Sequence, residues 1–356
     1  MNDSVYARLL GQIGVCEDAD ALRGLRGQIH EHMEALLSER TVEQFYIGLN
    51  EVHDAFIKRA IVLSEAQMAR MGYGPPPVLY AYVLFGSGGR EEQTMSSDQD
   101  SGIVYEDSED TAQKENVSGY FRRFSDHVVK LLKHLGYPPC DGNVISSNPE
   151  WCQPLSGWGS KLEVWYKEPD WERVRYLLIV ADCRMIYGDA GVMASFRNQF
   201  NAGLKENPDI IRNMLNNTMR HKMLVGIFGQ LLKEPYGEDA GSLDVKYGAY
   251  IPMVNAIRLM SITSGVMETS TLARLQGLLA NKELTEREAA VYKDTFRLFL
   301  RIRLMATERY EGGLYTNNGK LAGRKMTREL TDQLKAALRQ GRKLQRRIYK
   351  ETISRF

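Results

Sequence analysis

Over the first 70 residues apolar side chains recur three and four positions apart, at Leu9 and Ile13 and again at Phe45, Leu49, Val52, Phe56, Ile57, Ala60 and Leu63, with charges between them. That period keeps one face of a helix apolar, so the pattern predicts two or three amphipathic helices. The sequence GYGPPP at 72–77 interrupts it, because consecutive prolines lack N–H donors and push the preceding residue out of the helical region. Short apolar runs rich in Val, Ile and Tyr follow at 78–85, 102–105 and 174–181, and each predicts a buried strand. A helical stretch at 113–136, ending in HLGYPP, separates the second run from the third. Beyond residue 191 the helical period returns at 193–200, 210–232, 251–264, 270–279, 286–305 and 328–349. The expected fold class is α+β: a mixed sheet flanked by N-terminal helices and a C-terminal helical bundle. The expected division is a helical segment at 1–75, a sheet-bearing domain at 76–190 and a helical domain at 191–356 that closes a cleft.

Composition narrows the function classes. The 356 residues hold 46 Lys plus Arg against 45 Asp plus Glu, so the broad positive field of a non-specific nucleic-acid or membrane binder is missing. Nucleic acid and membrane are therefore not expected as partners. Four cysteines without a CxxC spacing and six histidines without HExxH give no zinc signature and suit a reduced cytoplasm. No basic-apolar-small leader opens the chain, and its longest apolar run, VLYAYVLF, is far below the roughly 20 residues of a membrane helix. A soluble, cytoplasmic protein is expected.

The candidate chemistry lies in FGSGGREEQTMSSDQDSGIVY at 85–105. If 78–85 is a strand, Gly86-Ser87-Gly88-Gly89 is the turn after it and 90–95 a short helix, an arrangement that exposes backbone N–H groups and the Ser87 hydroxyl to an anion. A second strand starting near Asp98 would turn Asp98 and Asp100 to one face and Gln99 to the other. Two carboxylates about 4 Å apart repel by roughly 1 kcal/mol in water and about 4 kcal/mol near a protein surface. A cation bound between them removes that cost. Oxygen-only ligands select Mg²⁺ or Mn²⁺, held jointly with substrate phosphates. Two-metal phosphoryl transfer commonly adds a third carboxylate, and Asp182, at the end of LLIVADCR, is the candidate. An ion pair with Arg184 is the competing account of the same residue.

This layout resembles the GS-x-GR-x-EQ-(x)n-TDQDNA signature of bacterial nucleotidyltransferases related to the N-terminal region of protein-PII uridylyltransferases, within the DNA polymerase β nucleotidyltransferase superfamily. The similarity continues through GYPPCDGNVISSNPEW at 136–151, ADCRMIYGD at 181–189 and SLDVKYGAYIPMVNAIRLMSI at 242–262, so it spans roughly residues 40–350. The resemblance implies a polymerase β-like sheet. It also implies Mg²⁺- or Mn²⁺-dependent transfer of an NMP group from an NTP to an acceptor, with pyrophosphate released. Gly86 and Ser87 would hold the triphosphate, Arg90 would lie near the phosphates, and Asp98, Asp100 and Asp182 would bind the metals, with Asp182 helping to activate the attacking group. Lys246 would reach the phosphates from the helical domain, and an ordinary surface lysine is the equal alternative. A protein side chain is the favoured acceptor, which places the reaction in signal transduction. Ser101 stands where the family has Asn, Ser97 where it has Thr and Cys152 where Arg is common; the first change implies altered nucleotide contacts.

Two other features carry alternatives. Arg339, Arg342, Lys343, Arg346, Arg347, Lys350 and Arg355 crowd the last predicted helix behind an apolar stripe at Leu334, Leu338, Leu344 and Ile348. They read as its solvated face, or as a docking surface for an acidic protein or RNA. Trp151, Trp158, Trp165 and Trp171 are expected to pack between the two halves of the chain rather than to stack on a base. The rival from another class is a non-catalytic regulatory module that binds nucleotide or a partner protein through the same fold.

Overall fold

Thr41 and Gln44 bond each other's backbone N–H groups in a capping box that starts a 29-residue helix, α3 (Val42–Arg70), preceded by α1 (Asp3–Val15) and α2 (Ala19–Leu36). The computed structural model describes residues 3–37, 39–108, 110–226, 229–237, 239–309, 315–316 and 318–355. They form two units, one of residues 1–167 and 182–206 and one of 168–181 and 207–356.

In the first unit, β1 (Tyr80–Leu84), the four-residue helix α4 (Gly86–Gly89) and β2 (Ser101–Tyr105) lead into α5 (Thr111–His134). Further along come β3 (Cys152–Pro154), α6 (Leu155–Lys167), β4 (Arg184–Gly188) and α8 (Ala190–Glu206). The sheet order is β3-β2-β1-β4, with β1 antiparallel to β2 and β4, and β2 parallel to β3. Every residue of β1 and β2 is buried, which explains why both read as continuous apolar runs rather than as alternation. α3 packs on α5, and α6 on α8. Tyr105 stacks on Phe121 at 4.4 Å, and Tyr80 meets Phe121 and Phe124 at 5.4 and 5.5 Å, so aromatics seal α5 onto the sheet.

Three expected elements differ. The run at 174–181 is not a strand but most of α7 (Trp171–Val180), capped by Asp170, whose side chain accepts from the Arg173 N–H. Its buried Val174, Leu177 and Leu178 stand three and four apart, a helical spacing that the later LLIVA hides. The short helix expected at 90–95 lies earlier, at α4, because Glu91 takes the left-handed conformation with φ 57° and turns the chain away. The helix expected at 210–232 ends at Thr218, as α9 (Ile210–Thr218); of its remainder, residues 227–228 lie outside the described residues.

In the second unit α7 and α9 join β5 (Leu243–Asp244), α10 (Ile251–Thr263), α11 (Thr271–Ala280) and α12 (Glu286–Met305). The pair β6 (Glu308–Arg309) and β7 (Tyr315–Thr316), then β8 (Lys320–Leu321) and α13 (Arg328–Arg355), complete it. α10 is its buried centre: ten consecutive residues, Pro252 to Ser261, are buried, and it packs on α9, α11 and α13. Tyr250 stacks on Phe296 of α12 at 5.8 Å. Trp151, Trp158 and Trp165 form one cluster in the first unit, at 5.8 to 6.4 Å, with Trp158 edge-on to the other two. Trp171 belongs to the second unit, where it lies under the Arg220 guanidinium at 4.1 Å. No helix among the described residues is long and apolar enough to cross a membrane.

Candidate active site

The strand register brings the candidate residues to one end of the sheet. Leu84, the last residue of β1, lies opposite Ser101 on one side and Arg184 on the other, so Gly86, Asp100 and Asp182 all leave the sheet at that end. The Phe85 N–H donates to the Asp100 carbonyl at 2.9 Å and ties the glycine turn to the SDQD segment. Gly86 has φ 53°, and a Cβ placed on it would lie 2.2 Å from Asp100 Oδ2. The carboxylate therefore sits directly against the bare glycine, and only glycine fits both the conformation and the space. In α4 the first turn leaves N–H groups without intrahelical acceptors. Ser87 is half-buried among them.

Strand β2 begins at Ser101, later than expected, but the chain before it is already extended. Gln99 makes an isolated parallel bridge with Pro139, and its side chain turns inward to donate to the Tyr137 carbonyl at 2.7 Å. Asp98 is exposed and Asp100 half-buried, while Gln99 between them is 5% exposed. Cys140 registers both acids. Burial first, then the Asp100 carboxylate beside it and the more distant Asp98 charge, push its thiol up to about 12. A neutral thiol therefore borders the two carboxylates.

Asp182 is placed differently. Its side chain is fully buried and accepts from Arg90 Nη1 at 2.5 Å, and Arg90 Nε donates in turn to Glu92 at 2.8 Å. A Cβ on Gly89 would lie 2.0 Å from the Asp182 carbonyl oxygen, so α4 rests on that peptide. The competing account of Asp182, an ion pair with Arg184, is not the pair formed. Arg184 instead makes a bidentate pair with Asp54 of α3, at 2.7 and 2.8 Å, and also donates to the Gly88 carbonyl. Asp54 and Arg184 together clamp the end of α4. Sequence reading missed this because the partners are 130 positions apart.

Among the described residues no group of three or more His, Cys, Asp or Glu side chains is placed to hold a metal ion. The structure thus brings Asp98 and Asp100 to a common edge and leaves Asp182 in its pair with Arg90. Two carboxylates fit the usual protein share of a Mg²⁺ site, whose remaining positions go to water and substrate phosphate.

A second layer of residues, unforeseen in the sequence, holds the SDQD loop. His53 Nε2 lies 2.9 Å from the Thr94 carbonyl, which can only accept, so that nitrogen carries the proton. Nδ1 then accepts from the Tyr137 hydroxyl at 2.8 Å. Burial, with the Arg26 charge adding to it, lowers the His53 imidazole to about 3 and keeps it neutral. Asn50 accepts from the Gln93 N–H at 3.1 Å, and Gln93 donates to the Ser97 hydroxyl at 2.8 Å. Ser101 also faces inward: it is 1% exposed, and its hydroxyl takes bonds from Tyr82 and from the Ser146 N–H at 3.1 and 3.2 Å. The altered nucleotide contact expected of Ser101 is therefore replaced by an internal role. Lys246 opens a π-helical turn, Lys246–Tyr250, in the second unit, where its N–H donates to Gly319 and its Nζ lies 5.3 Å from the Tyr247 ring.

Residues 27–172 match the family model described as Putative nucleotidyltransferase DUF294, and residues 208–352 match the one described as Putative nucleotidyltransferase substrate binding domain. The two matches cover most of the chain, which belongs to this nucleotidyltransferase family. No curated protein matches it significantly.

Proposed function

We propose that this chain transfers an NMP group from an NTP to an acceptor hydroxyl in a divalent-metal-dependent reaction. The observation that carries the reading is the seating of Asp100 Oδ2 against the bare Gly86, with exposed Asp98 two residues before it. Anion-binding N–H groups and cation-binding carboxylates then share one small surface, as a metal-bound triphosphate requires. In the reaction the acceptor oxygen forms a bond to the α-phosphorus, the bond from that phosphorus to the β-phosphate bridge breaks, and pyrophosphate leaves. The hydroxyl proton goes to solvent. When bound, Mg²⁺ or Mn²⁺ offsets the charge that develops on the phosphate oxygens. Asp98 and Asp100 would hold it, and the Gly86 and Ser87 N–H groups and the Ser87 hydroxyl would orient the phosphates. Arg90 and Asp182 support the site from below by fixing α4; direct metal binding by Asp182 requires Arg90 to leave it.

The resemblance to protein-PII uridylyltransferases favours a protein side chain as acceptor and a signalling role. A second reading, a non-catalytic nucleotide-binding regulator, draws on the engagement of Asp182 with Arg90. Pyrophosphate release from each of the four NTPs, with Mg²⁺ or Mn²⁺ and a cell extract as acceptor source, separates the two. Catalysis predicts release that Asp98→Asn/Asp100→Asn abolishes. Nucleotide binding without release under every condition establishes the regulator instead.

A further inference from the structure

The basic side chains of α13 fall into two groups. Arg342 and Arg347 serve the second unit itself: Arg342 donates to the carbonyls of Val225 and Gly226, and Arg347 to Glu288 at 2.9 Å, Glu351 at 2.6 Å and the Glu283 carbonyl at 2.7 Å. Arg339, Lys343, Arg346 and Lys350 are exposed, and none of the four makes an ion pair among the described residues. Their spacings of four, three and four put them on one stripe. Half-buried Lys335 extends it by a turn, giving a line of cations about 22 Å long at 1.5 Å per residue. Tyr349 and Ile353, 50% and 46% exposed, adjoin it at the C-terminal end.

A merely solvated helix face mixes both signs, since like charges four apart repel. Here Glu351 is taken by Arg347, and the exposed Asp332 lies only at the far end, one turn before Lys335. The arrangement is also too narrow for a nucleic-acid surface. A duplex presents a charge every roughly 1.7 Å and is drawn by a broad field, whereas the whole chain carries a net charge of only +1. An exposed Ile beside the cations suits a partner with apolar side chains of its own.

We propose that this face of α13 docks an acidic amphipathic helix of a partner protein, whose carboxylates repeat every three or four residues against the four cations and whose apolar side chains cover Tyr349 and Ile353. The matched repeat provides register, and the charges provide rapid, salt-sensitive association. Nothing in this docking depends on the nucleotidyl transfer proposed above.

Fluorescence anisotropy on the full chain tests it with three labelled probes: a helical peptide with Glu at i, i+4, i+7 and i+11 and two Leu at the following turn, a scrambled peptide of the same composition, and a single-stranded RNA of equal charge. The patterned peptide should bind at least 10-fold more tightly than the other two. Lys343→Glu/Arg346→Glu should weaken it at least 10-fold, and Tyr349→Ala/Ile353→Ala several-fold, with unchanged thermal unfolding. Equal binding of the scrambled peptide, tighter binding of RNA, or no binding of the patterned peptide would overturn the proposal.

Discussion

Arg90 Nη1 donates to Asp182 Oδ2 at 2.5 Å inside the protein, with both side chains at most 4% exposed. An acid so held is expected to act on stability before it acts on metal. Removing one partner of a buried ion pair leaves the other uncompensated, at a cost of about 3–5 kcal/mol. Asp182→Asn should therefore lower the thermal midpoint strongly, while Mn²⁺ affinity measured below that midpoint stays within a few-fold of the parent's. Lost Mn²⁺ binding with the parent's stability would instead make Asp182 a ligand.

The contact between Gly86 and Asp100 predicts a different signature. Gly86→Ala puts a methyl group where Asp100 Oδ2 sits and asks an L-residue to keep φ 53°. The backbone part alone costs about 1 kcal/mol, and the carboxylate must move by more than an ångström to make room. Pyrophosphate release should fall at least 100-fold with only a modest loss of stability, since the displaced group is half-buried. Near-parental turnover would show that Asp100 works from another position.

How much of this site could be read in advance depends on the range of the interactions. The break after the first strand at Gly86, the alternation of Asp98, Gln99 and Asp100, and most helices are set by neighbours within four residues, and these were legible. The strand misassigned at 174–181 failed at the same range for an identifiable reason: LLIVA satisfies both templates, and only Asp170 as a cap and the spacing of Val174, Leu177 and Leu178 decide for helix. What remained hidden is the support of the loop. Asp54 with Arg184 and His53 with Tyr137 meet across 130 and 84 positions, and no local pattern announces which charge or ring will find which partner.

Ser101 offers a check on the inward-facing network. Its hydroxyl accepts from Tyr82 and from the Ser146 N–H inside the protein. Ser101→Ala leaves the Ser146 N–H short of an acceptor, while the Tyr82 hydroxyl keeps the Ser146 hydroxyl at 3.0 Å, and should destabilise by about 1–3 kcal/mol. Relative use of the four NTPs should not change. A shift in nucleotide preference at constant stability would return Ser101 to the binding surface.

Asp98 is the exposed acid of the pair. With no cation present, Asp98→Asn removes repulsion from Asp100, so the metal-free thermal midpoint should hold or rise slightly. The rise that Mn²⁺ brings to the parent should vanish in the variant, because only the native state binds the ion. A lower metal-free midpoint would assign Asp98 a structural bond instead.

His53 makes the pH dependence of stability a test of the loop support. Burial lowers its folded-state value from 6.5 to about 3, and His30, packed edge-on to it at 6.2 Å, is lowered in the same direction, also chiefly by burial. Below pH 6.5 the unfolded chain binds a proton at His53 that the folded protein refuses, so stability is full above 6.5 and declines as pH falls toward 3. The slope is about 1.4 kcal/mol per pH unit for one such group. His53→Gln keeps a side-chain amide that can donate to Thr94 but cannot titrate. It should be less stable than the parent at pH 7.5, through its poorer fit to Tyr137, and that gap should shrink by about 2.7 kcal/mol between pH 7.5 and 4.5. Urea midpoints measured in parallel on both proteins isolate this term, since every other titrating group is common to them. A gap that stays constant over that range would mean that the folded protein accepts the proton as readily as the unfolded chain, and His53 would then not be the neutral, doubly bonded support of the SDQD loop.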